Sequence, residues 1–211
     1  MKLFITGIGT DVGKTIASAI ITEALEADYW KPIQAGDLDT SDSHKIKAYL
    51  SNEKTIIHPN SYALKTPASP NLAAAIDGIT IDLKNIKEPN PDSYREDNHL
   101  VIEGAGGIFV PINDNETIID LIQPDYKVIV VSRHYLGSIN HTLLTIEALQ
   151  NRKIAIAGIL FNGKENQSSE SIILKKTGLN CLGRIEEEPY FDKNVIREFA
   201  DLFREKLLQL Q

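Results

Sequence analysis

The sequence predicts an α/β fold, an open and mostly parallel β-sheet with helices on both faces. Two observations carry this prediction. Apolar runs of strand length alternate with segments of helical periodicity along the chain. Several of these runs are apolar at consecutive rather than alternate positions, as expected of strands that are buried on both faces. A parallel sheet covered by helices accounts for both observations.

The predicted elements alternate from one end of the chain to the other. We predict strands at 2–6, 29–33, 100–102, 127–131, 154–161 and 181–185. We predict helices at 14–27, 43–50, 70–77, 139–151, 168–177 and 192–209; in the fourth, residues 139, 143, 146 and 149 are apolar and share one face.

The least regular part of the chain is 51–98, which is rich in Pro, Asn, Asp and Ser. A linker between two domains is one interpretation of this composition. Too few residues precede it to build a second core, so we favour an elaborated crossover within one domain that spans 1–211.

Composition limits the classes of partner. The 211 residues are 42% hydrophobic, which suits a globular domain with a substantial core. Acidic residues outnumber basic ones, 29 to 22, for a formal net charge of −7. This balance argues against nucleic acid or an anionic membrane as the main partner. No apolar run approaches the ~20 residues that span a bilayer, and Met1 leads directly into a strand without space for a signal peptide, so we expect a cytoplasmic protein.

The segment "TGIGTDVGKT", 6–15, follows the first predicted strand. A strict phosphate loop has four residues between its two glycines, whereas five separate Gly7 from Gly13. Lys14 and Thr15 nevertheless follow Gly13 directly and open an apolar helix, which aims backbone N–H groups and the helix dipole at one point. A turn whose glycines serve packing alone is the alternative. Strand, glycines, Gly-Lys-Thr and helix together favour a variant phosphate loop, and hence a P-loop NTPase-like domain.

A second motif is "VIEGAGGIFVPI", 101–112. We expect Glu103 at the carboxyl end of a buried strand, where a carboxylate could hold Mg²⁺ or polarise a water. The small residues 104–107 would let backbone approach a ligand and offer N–H donors. A solvated strand-end charge followed by a wide turn is the alternative.

Four shorter motifs each have two interpretations. Lys31 in "WKPIQAG" is either a surface lysine or a clamp on transferring charge. Asp42 at a helix start is either a helix-terminal acid or a metal ligand. "LGSINHTLLT" at 136–145 enters a helix and could receive an anion. Asn162, at the end of a buried strand in "LFNG", could pair with a nucleotide base. Capping and turn chemistry would explain the last two equally well.

Taken in order, these motifs resemble the dethiobiotin synthetase family of biotin biosynthesis. "TGIGTDVGKT", "KPIQAG", "SD" at a helix start, "VIEGAGG", "LGSINH", "FN", and "LGRI" before an acidic Pro-containing stretch recur in the family's order over nearly the whole chain. The five-residue glycine spacing is that family's variant. The resemblance implies a cyclo-ligase that converts 7,8-diaminononanoate, CO₂ and ATP to dethiobiotin, ADP and phosphate through a phosphorylated carbamate, with Mg²⁺ as cofactor.

The resemblance also implies roles for individual residues. Lys31 and Lys14 would be catalytic, and Thr15, Asp42 and Glu103 would hold Mg²⁺. ATP would be bound by Asp11, Val12, Gly13, Lys14, Thr15, Ile16, Asp42, Glu103, Gly104, Ala105, Gly106, Asn162, Gly163, Ile185, Glu186 and Glu187. The small-molecule substrate would be bound by Ala35, Gly106, Gly107, Ser138 and Asn140. The family is homodimeric, so we expect the substrate site at an interface, with the substrate carboxylate near the "LGSINH" helix of the partner subunit.

The chain departs from the family pattern at three places. Ala35 stands where members commonly have a serine or threonine, Gly163 replaces an aspartate after the base-reading asparagine, and Ile185-Glu186 replaces "IP". The main alternative function is a regulatory or partitioning ATPase with a related loop. Such proteins carry a lysine four residues before the phosphate-loop lysine, and that position is Thr10 here. A cobyrinate-type amide synthase is more distant, because it usually depends on a glutaminase domain.

Overall fold

The computed structural model describes residues 1–89 and 98–210. Its strands within these ranges are β1 (Lys2–Gly7), β2 (Asp28–Trp30), β3 (Ile33–Ala35), β4 (Ile57–His58), β5 (Tyr62–Leu64), β6 (Leu100–Gly107), β7 (Tyr126–Arg133), β8 (Ile156–Asn162) and β9 (Cys181–Ile185). Its α-helices there are α1 (Lys14–Leu25), α2 (Asp42–Tyr49), α3 (Pro70–Asp77), α4 (Ser138–Asn151), α5 (Gln167–Thr177) and α6 (Lys193–Leu208). The predicted helices are confirmed. Residues 90–97 of the irregular segment lie outside the described ranges.

A parallel sheet forms the centre of the molecule. Across the described residues its strand order is β4-β2-β6-β1-β7-β8-β9, and every neighbouring pair is parallel. β3 and β5 form a separate two-stranded parallel sheet. Leu3, Phe4 and Ile5 in the central strand are fully buried, which explains why that run is apolar at consecutive positions. The predicted α/β class is confirmed.

The direction of the crossovers distributes the helices over both faces. From β1 the chain passes through α1 to β2 on one side, whereas from β7 it passes through α4 to β8 on the other. Right-handed crossovers in opposite directions place their helices on opposite faces of a sheet. α1 packs against α6 and α2, and α4 packs against α5. The carboxyl ends of β2, β6, β1 and β7 meet at one edge, where the order reverses and where such folds bind ligands.

Two predicted strand boundaries are wrong. The predicted strand 29–33 is divided into β2 and β3, with Lys31 and Pro32 between them. Pro32 has no N–H to donate to a ladder, so pairing stops there. β6 continues past Glu103 to Gly107, where Gly107 pairs with Gly7 beyond a register shift in β1, although Gly106 has φ 66°, in the left-handed region. Glu103 therefore lies inside a strand rather than at its end.

The short strands β4 and β5 fall in the segment 51–98 that the sequence marks as irregular. Pairings of two and three residues are too short to give a periodic signal. Among the described residues, no helix combines the length and apolar character that a bilayer crossing requires.

Candidate active site

The loop between β1 and α1 is shaped by glycine. Gly13 has φ 94°, in the left-handed region, and a Cβ there would lie 2.2 Å from Asn162 Nδ2. A Cβ at Gly7 would lie 2.4 Å from Val12 Cγ2, so that position is closed to side chains as well. Gly13 caps α1 without a side-chain acceptor, and the first turn of α1 carries no acid. The N–H groups at this helix start are therefore available to an anion.

Lys14 lies along the loop. Its side chain is buried and its Nζ donates to the carbonyl oxygen of Gly9 at 2.9 Å. Burial lowers the pKa of Lys14 below its ordinary value, with Glu103 acting against this and Lys31 adding to it. The ammonium is thus poorly solvated and already folded over the loop, an arrangement suited to phosphate oxygens.

Lys31 is buried between two carboxylates. Its Nζ lies 3.1 Å from Glu103 Oε1 and contacts Asp42 Oδ2. Burial alone would lower the pKa of Lys31, but Glu103 and Asp42 outweigh it and raise the pKa above its ordinary value. The interpretation of Lys31 as a solvated surface lysine does not fit a side chain that is 7% exposed.

Asp42 and Thr15 complete the cluster. Asp42 is the first residue of α2, and its backbone N–H is 3.3 Å from Gln34 Oε1. Burial would raise the pKa of Asp42, but Lys31 lowers it below its ordinary value. Thr15 Oγ1 donates to Glu103 Oε1 at 3.0 Å. Asp42 from α2 and Glu103 from β6 therefore both contact the Lys31 ammonium group, and Thr15 from α1 is hydrogen-bonded to Glu103.

These residues open onto a cleft of about 730 Å³. The predicted site residues that line it are Asp11, Gly13, Lys14, Thr15, Ile16, Lys31, Ala35, Asp42, Glu103, Ala105 and Gly106. Val12, a residue of the loop itself, is buried, and Gly107 lies beside Gly7. Gly104 faces the core, where a Cβ would lie 3.1 Å from the Phe4 ring.

A second group of predicted residues lies beside the loop at the ends of β8 and β9. Asn162 Nδ2 donates to the Val12 carbonyl oxygen at 2.8 Å, and Gly163 N donates to the Ile185 carbonyl oxygen at 2.8 Å. Ile185 is buried, whereas Glu186 and Glu187 are exposed. Ser138 and Asn140 begin α4 and do not line the cleft within this chain.

Several residues of this region escaped the sequence analysis. Tyr29 OH donates to Glu103 Oε2 at 2.9 Å, and Gln34 connects Asp42 N to the Gly36 carbonyl oxygen, with Nε2 3.0 Å from the latter. The strand alternation, which puts 29 and 31 on one face, is the one signal that could have indicated Tyr29.

A buried carboxylate near the second group was also missed. Glu170 accepts from Arg184 Nε at 3.0 Å and Nη2 at 3.1 Å, and its Oε1 lies 3.0 Å from His134 Nε2. Burial would raise the pKa of Glu170, but hydrogen bonds from Arg184 and His134 lower it. Glu170 thus connects β9 with the end of β7 around the Asn162 loop.

The oxygen donors Thr15, Asp42 and Glu103 fit the preferences of Mg²⁺, which takes hard oxygen ligands and keeps several from water or phosphate. In residues 1–89 and 98–210, no three His, Cys, Asp or Glu side chains group as a metal site on their own.

A glycine loop at the carboxyl edge of a parallel sheet, with Lys14 over it and carboxylates beside it, defines the class of P-loop nucleotide-binding proteins. A family model described as an AAA domain matches residues 1–195. Solved structures with this fold include the MinC:MinD cell division complex of Aquifex aeolicus, with TM-score 0.59 and 15% identity over 99% of this chain and 94% of that chain. MinD of Pyrococcus horikoshii OT3 with Mg-ADP has TM-score 0.56 and 12% identity over 100% and 94%. These likenesses concern the fold alone.

Sequence relatives are more specific than the fold. The ATP-dependent dethiobiotin synthetase BioD of Christiangramia forsetii is 56% identical over 207 residues, 98% of each chain. Proteins of the same name from Cytophaga hutchinsonii and Afipia carboxidovorans are 50% and 45% identical, over 94% and 87% of this chain and 95% and 86% of theirs. The chain belongs to the ATP-dependent dethiobiotin synthetase family, which confirms the resemblance found in its motifs.

Proposed function

We propose that this chain catalyses the ATP-dependent formation of dethiobiotin from 7,8-diaminononanoate and CO₂, with release of ADP and phosphate. One observation carries the proposal within the structure: the ammonium of Lys31 is buried between Asp42 and Glu103, at the mouth of a phosphate loop. A reaction in which one anion takes a phosphoryl group from another needs a cation at that place. The identity of the product, dethiobiotin, is inferred from the name of the sequence relatives.

The proposed reaction has three steps. One amine of the substrate attacks CO₂, forming an N–C bond and losing a proton to give a carbamate. A carbamate oxygen attacks the γ-phosphorus, and ADP leaves. The second amine then attacks the carbonyl carbon, the phosphate leaves and the ring closes with loss of a second proton. Such chemistry needs positioning and charge neutralisation more than covalent help.

In this proposal, different residues of the cleft bind the phosphates, the carbamate and the metal ion. Lys14 and the N–H groups of the loop bind the β- and γ-phosphates. Lys31 stabilises the carbamate and the transferring phosphoryl group. Thr15, Asp42 and Glu103 would hold Mg²⁺, which when bound neutralises phosphate charge.

The rest of the cleft would bind the organic substrate. Ile33, Pro70 and Val110 give it apolar walls, beside Ala35 and the backbone of Gly106. We propose that the base of ATP lies by Asn162, Gly163 and residues 185–187. Ser138 and Asn140 would act from the partner subunit of a homodimer, since they lie outside the cleft of their own chain.

The test is to incubate the protein with ATP, Mg²⁺, bicarbonate and 7,8-diaminononanoate and to look for dethiobiotin by mass. ATP hydrolysis is followed with and without the diamine in the same reactions. We expect dethiobiotin, and phosphate release that depends on the diamine. Diamine-independent ATP turnover without dethiobiotin would instead support a regulatory ATPase and would overturn the proposal.

A further inference from the structure

We infer that Tyr29 is a positioning residue for Glu103, and that its hydroxyl determines how Glu103 serves a nucleotide-bound Mg²⁺ ion. The inference rests on the proposed function, because it gives Tyr29 a role toward the metal of that site. Tyr29 touches neither the cleft nor the places proposed for phosphate and substrate, so its effect passes through Glu103.

The strand pairing brings the two side chains together. Tyr29 in β2 pairs with Val101 in β6, two residues before Glu103. Alternation along β6 puts 101 and 103 on one face, which Tyr29 shares through its pairing with Val101. Lys31, which directly follows β2, contacts Glu103 Oε1. Trp30 lies on the other face, where it lines a separate cavity with Phe4 and Ile102.

The two carboxylate oxygens of Glu103 have different hydrogen-bond partners. Oε2 accepts from Tyr29 OH at 2.9 Å. Oε1 faces Lys31 Nζ at 3.1 Å and Thr15 Oγ1 at 3.0 Å, on the side of the cleft. With Oε2 engaged inside the core, only Oε1 is directed at the position where a cation would be held.

The Tyr29 hydroxyl is enclosed together with the Glu103 carboxylate. The Tyr29 side chain is fully buried, and its hydroxyl donates to Glu103 Oε2. Glu103 is 1% exposed, so water does not replace a lost donor readily. Without the hydroxyl, Oε2 would be buried and unpaired, and the carboxylate could turn to bring Oε2 toward Lys31.

The experiment measures the binding of ADP calorimetrically with saturating Mg²⁺ and again in excess EDTA. The ratio of the two affinities is the magnesium enhancement. For Tyr29→Phe we expect this enhancement to fall by about 10- to 100-fold, as for loss of a partner that orients a metal ligand. The affinity in EDTA should stay within about twofold, because Lys14 and the loop amides are unchanged. The matched control is Tyr62→Phe, which removes a hydroxyl bonded to Asp82 outside the cleft and should change neither value.

A double-mutant comparison tests whether the effect passes through Glu103. Glu103→Gln alone should also lower the magnesium enhancement, and adding Tyr29→Phe to it should lower the enhancement little further. An unchanged enhancement in Tyr29→Phe would overturn the inference. So would an equal loss of affinity with Mg²⁺ and in EDTA, since that pattern belongs to a general loss of structure.

Dethiobiotin formation is assayed on the same preparations. We expect Tyr29→Phe to lower kcat while the KM for the diamine changes little. If the wild-type protein forms no dethiobiotin, the proposed function fails, and the binding comparison still decides the role of Tyr29.

Discussion

At the scale of single residues, the charge balance around Lys31 is the central feature. Lys31 is buried against Glu103 and Asp42. Removing its positive charge from water is unfavourable, and the attraction of the two carboxylates offsets that cost. The buried Lys31 side chain and the two carboxylates that contact it therefore depend on one another. A substitution at one of these residues should change stability and activity by different mechanisms, so the two effects can be measured separately.

Lys31→Met keeps an apolar stem and removes the charge. We expect kcat to fall roughly 10²- to 10³-fold, as for loss of one group that stabilises transition-state charge. Affinity for ATP without the diamine should change far less, because Lys14 and the loop amides remain. Calorimetric titration of ATP and the dethiobiotin assay on one preparation separate the two effects. If ATP affinity collapses together with activity, Lys31 is a nucleotide ligand or a structural residue.

The same substitution should alter the dependence of stability on pH. The pKa of Asp42 is lowered from 3.8 by Lys31, against burial, so its contribution is complete above pH 3.8 and is lost as pH falls further. The pKa of Lys31 is raised from 10.5, against burial, by Glu103 and Asp42, so its contribution is complete below pH 10.5 and is lost above it. In urea unfolding, Lys31→Met should cost about 3 kcal/mol at neutral pH and less below pH 3.8. An equal loss at all pH values would contradict the pairing.

Ala35 tests the substrate side of the cleft. It lines the cleft without a hydroxyl, so the backbone donors of residues 106 and 107 would carry more of the polar recognition. Ala35→Ser should therefore leave the KM for 7,8-diaminononanoate unchanged or lower it. A rise in KM with unchanged KM for ATP would show that the pocket is packed closely around the methyl group.

At the scale of secondary-structure elements, the site depends on how α1 and α2 are held. α1 begins with Lys14 and Thr15, and α2 begins with Asp42. Near the other end of α1, buried Glu23 accepts hydrogen bonds from the segment after α2: Ser51 N at 3.0 Å, Ser51 Oγ, and Asn52 Nδ2 at 2.8 Å. Burial would raise the pKa of Glu23, but these hydrogen bonds lower it. One carboxylate thus anchors the far ends of both helices.

Glu23→Gln replaces an acceptor oxygen by an NH₂ group that faces donors. We expect a loss of about 2 kcal/mol in the free energy of unfolding, the size of a hydrogen bond to a charged group. Urea denaturation at neutral pH measures it. The control is Glu26→Gln, whose carboxylate contacts Lys54 on the surface and should contribute almost nothing. A Glu23 variant as stable as this control would show that the anchor is not needed.

At the scale of the whole molecule, the proposal requires two subunits at each substrate site. Leu136, Tyr135 and Leu144 expose apolar surface around the start of α4, where Ser138 and Asn140 lie. In a symmetric dimer, each site would combine Lys31 of one chain with Asn140 of the other.

Subunit mixing tests this arrangement. Lys31→Met and Asn140→Asp should each give low activity, the second by repelling the substrate carboxylate. After random exchange of equal amounts, half the dimers are mixed and each has one intact site, so about a quarter of wild-type activity should return. Refolded mixtures assayed for dethiobiotin provide the measurement. If mixing restores nothing, the two residues act within one chain or the protein is not dimeric.

Much of the fold could be predicted because its signals are local. A buried parallel strand is apolar along its length, an amphipathic helix has its own period, and alternation of the two implies the sheet with covering helices. The predictions failed where the local signal was missing. β4 and β5 are too short to show a period, and β6 continues to Gly107 because Gly107 pairs with Gly7, a residue far away in the chain.

The sequence by itself determined the class of fold, the variant phosphate loop at 6–15, and the candidacy of Lys31, Asp42 and Glu103, since each lies in a short motif. Only the tertiary structure decided that Lys31, Asp42 and Glu103 meet and that Lys31 is buried. It also decided that Tyr29, 74 residues from Glu103 in the chain, donates a hydrogen bond to the Glu103 carboxylate. The physical reason is that such contacts depend on strand order. β2 lies beside β6 because of the direction of the crossovers, and no local pattern of residues records that choice.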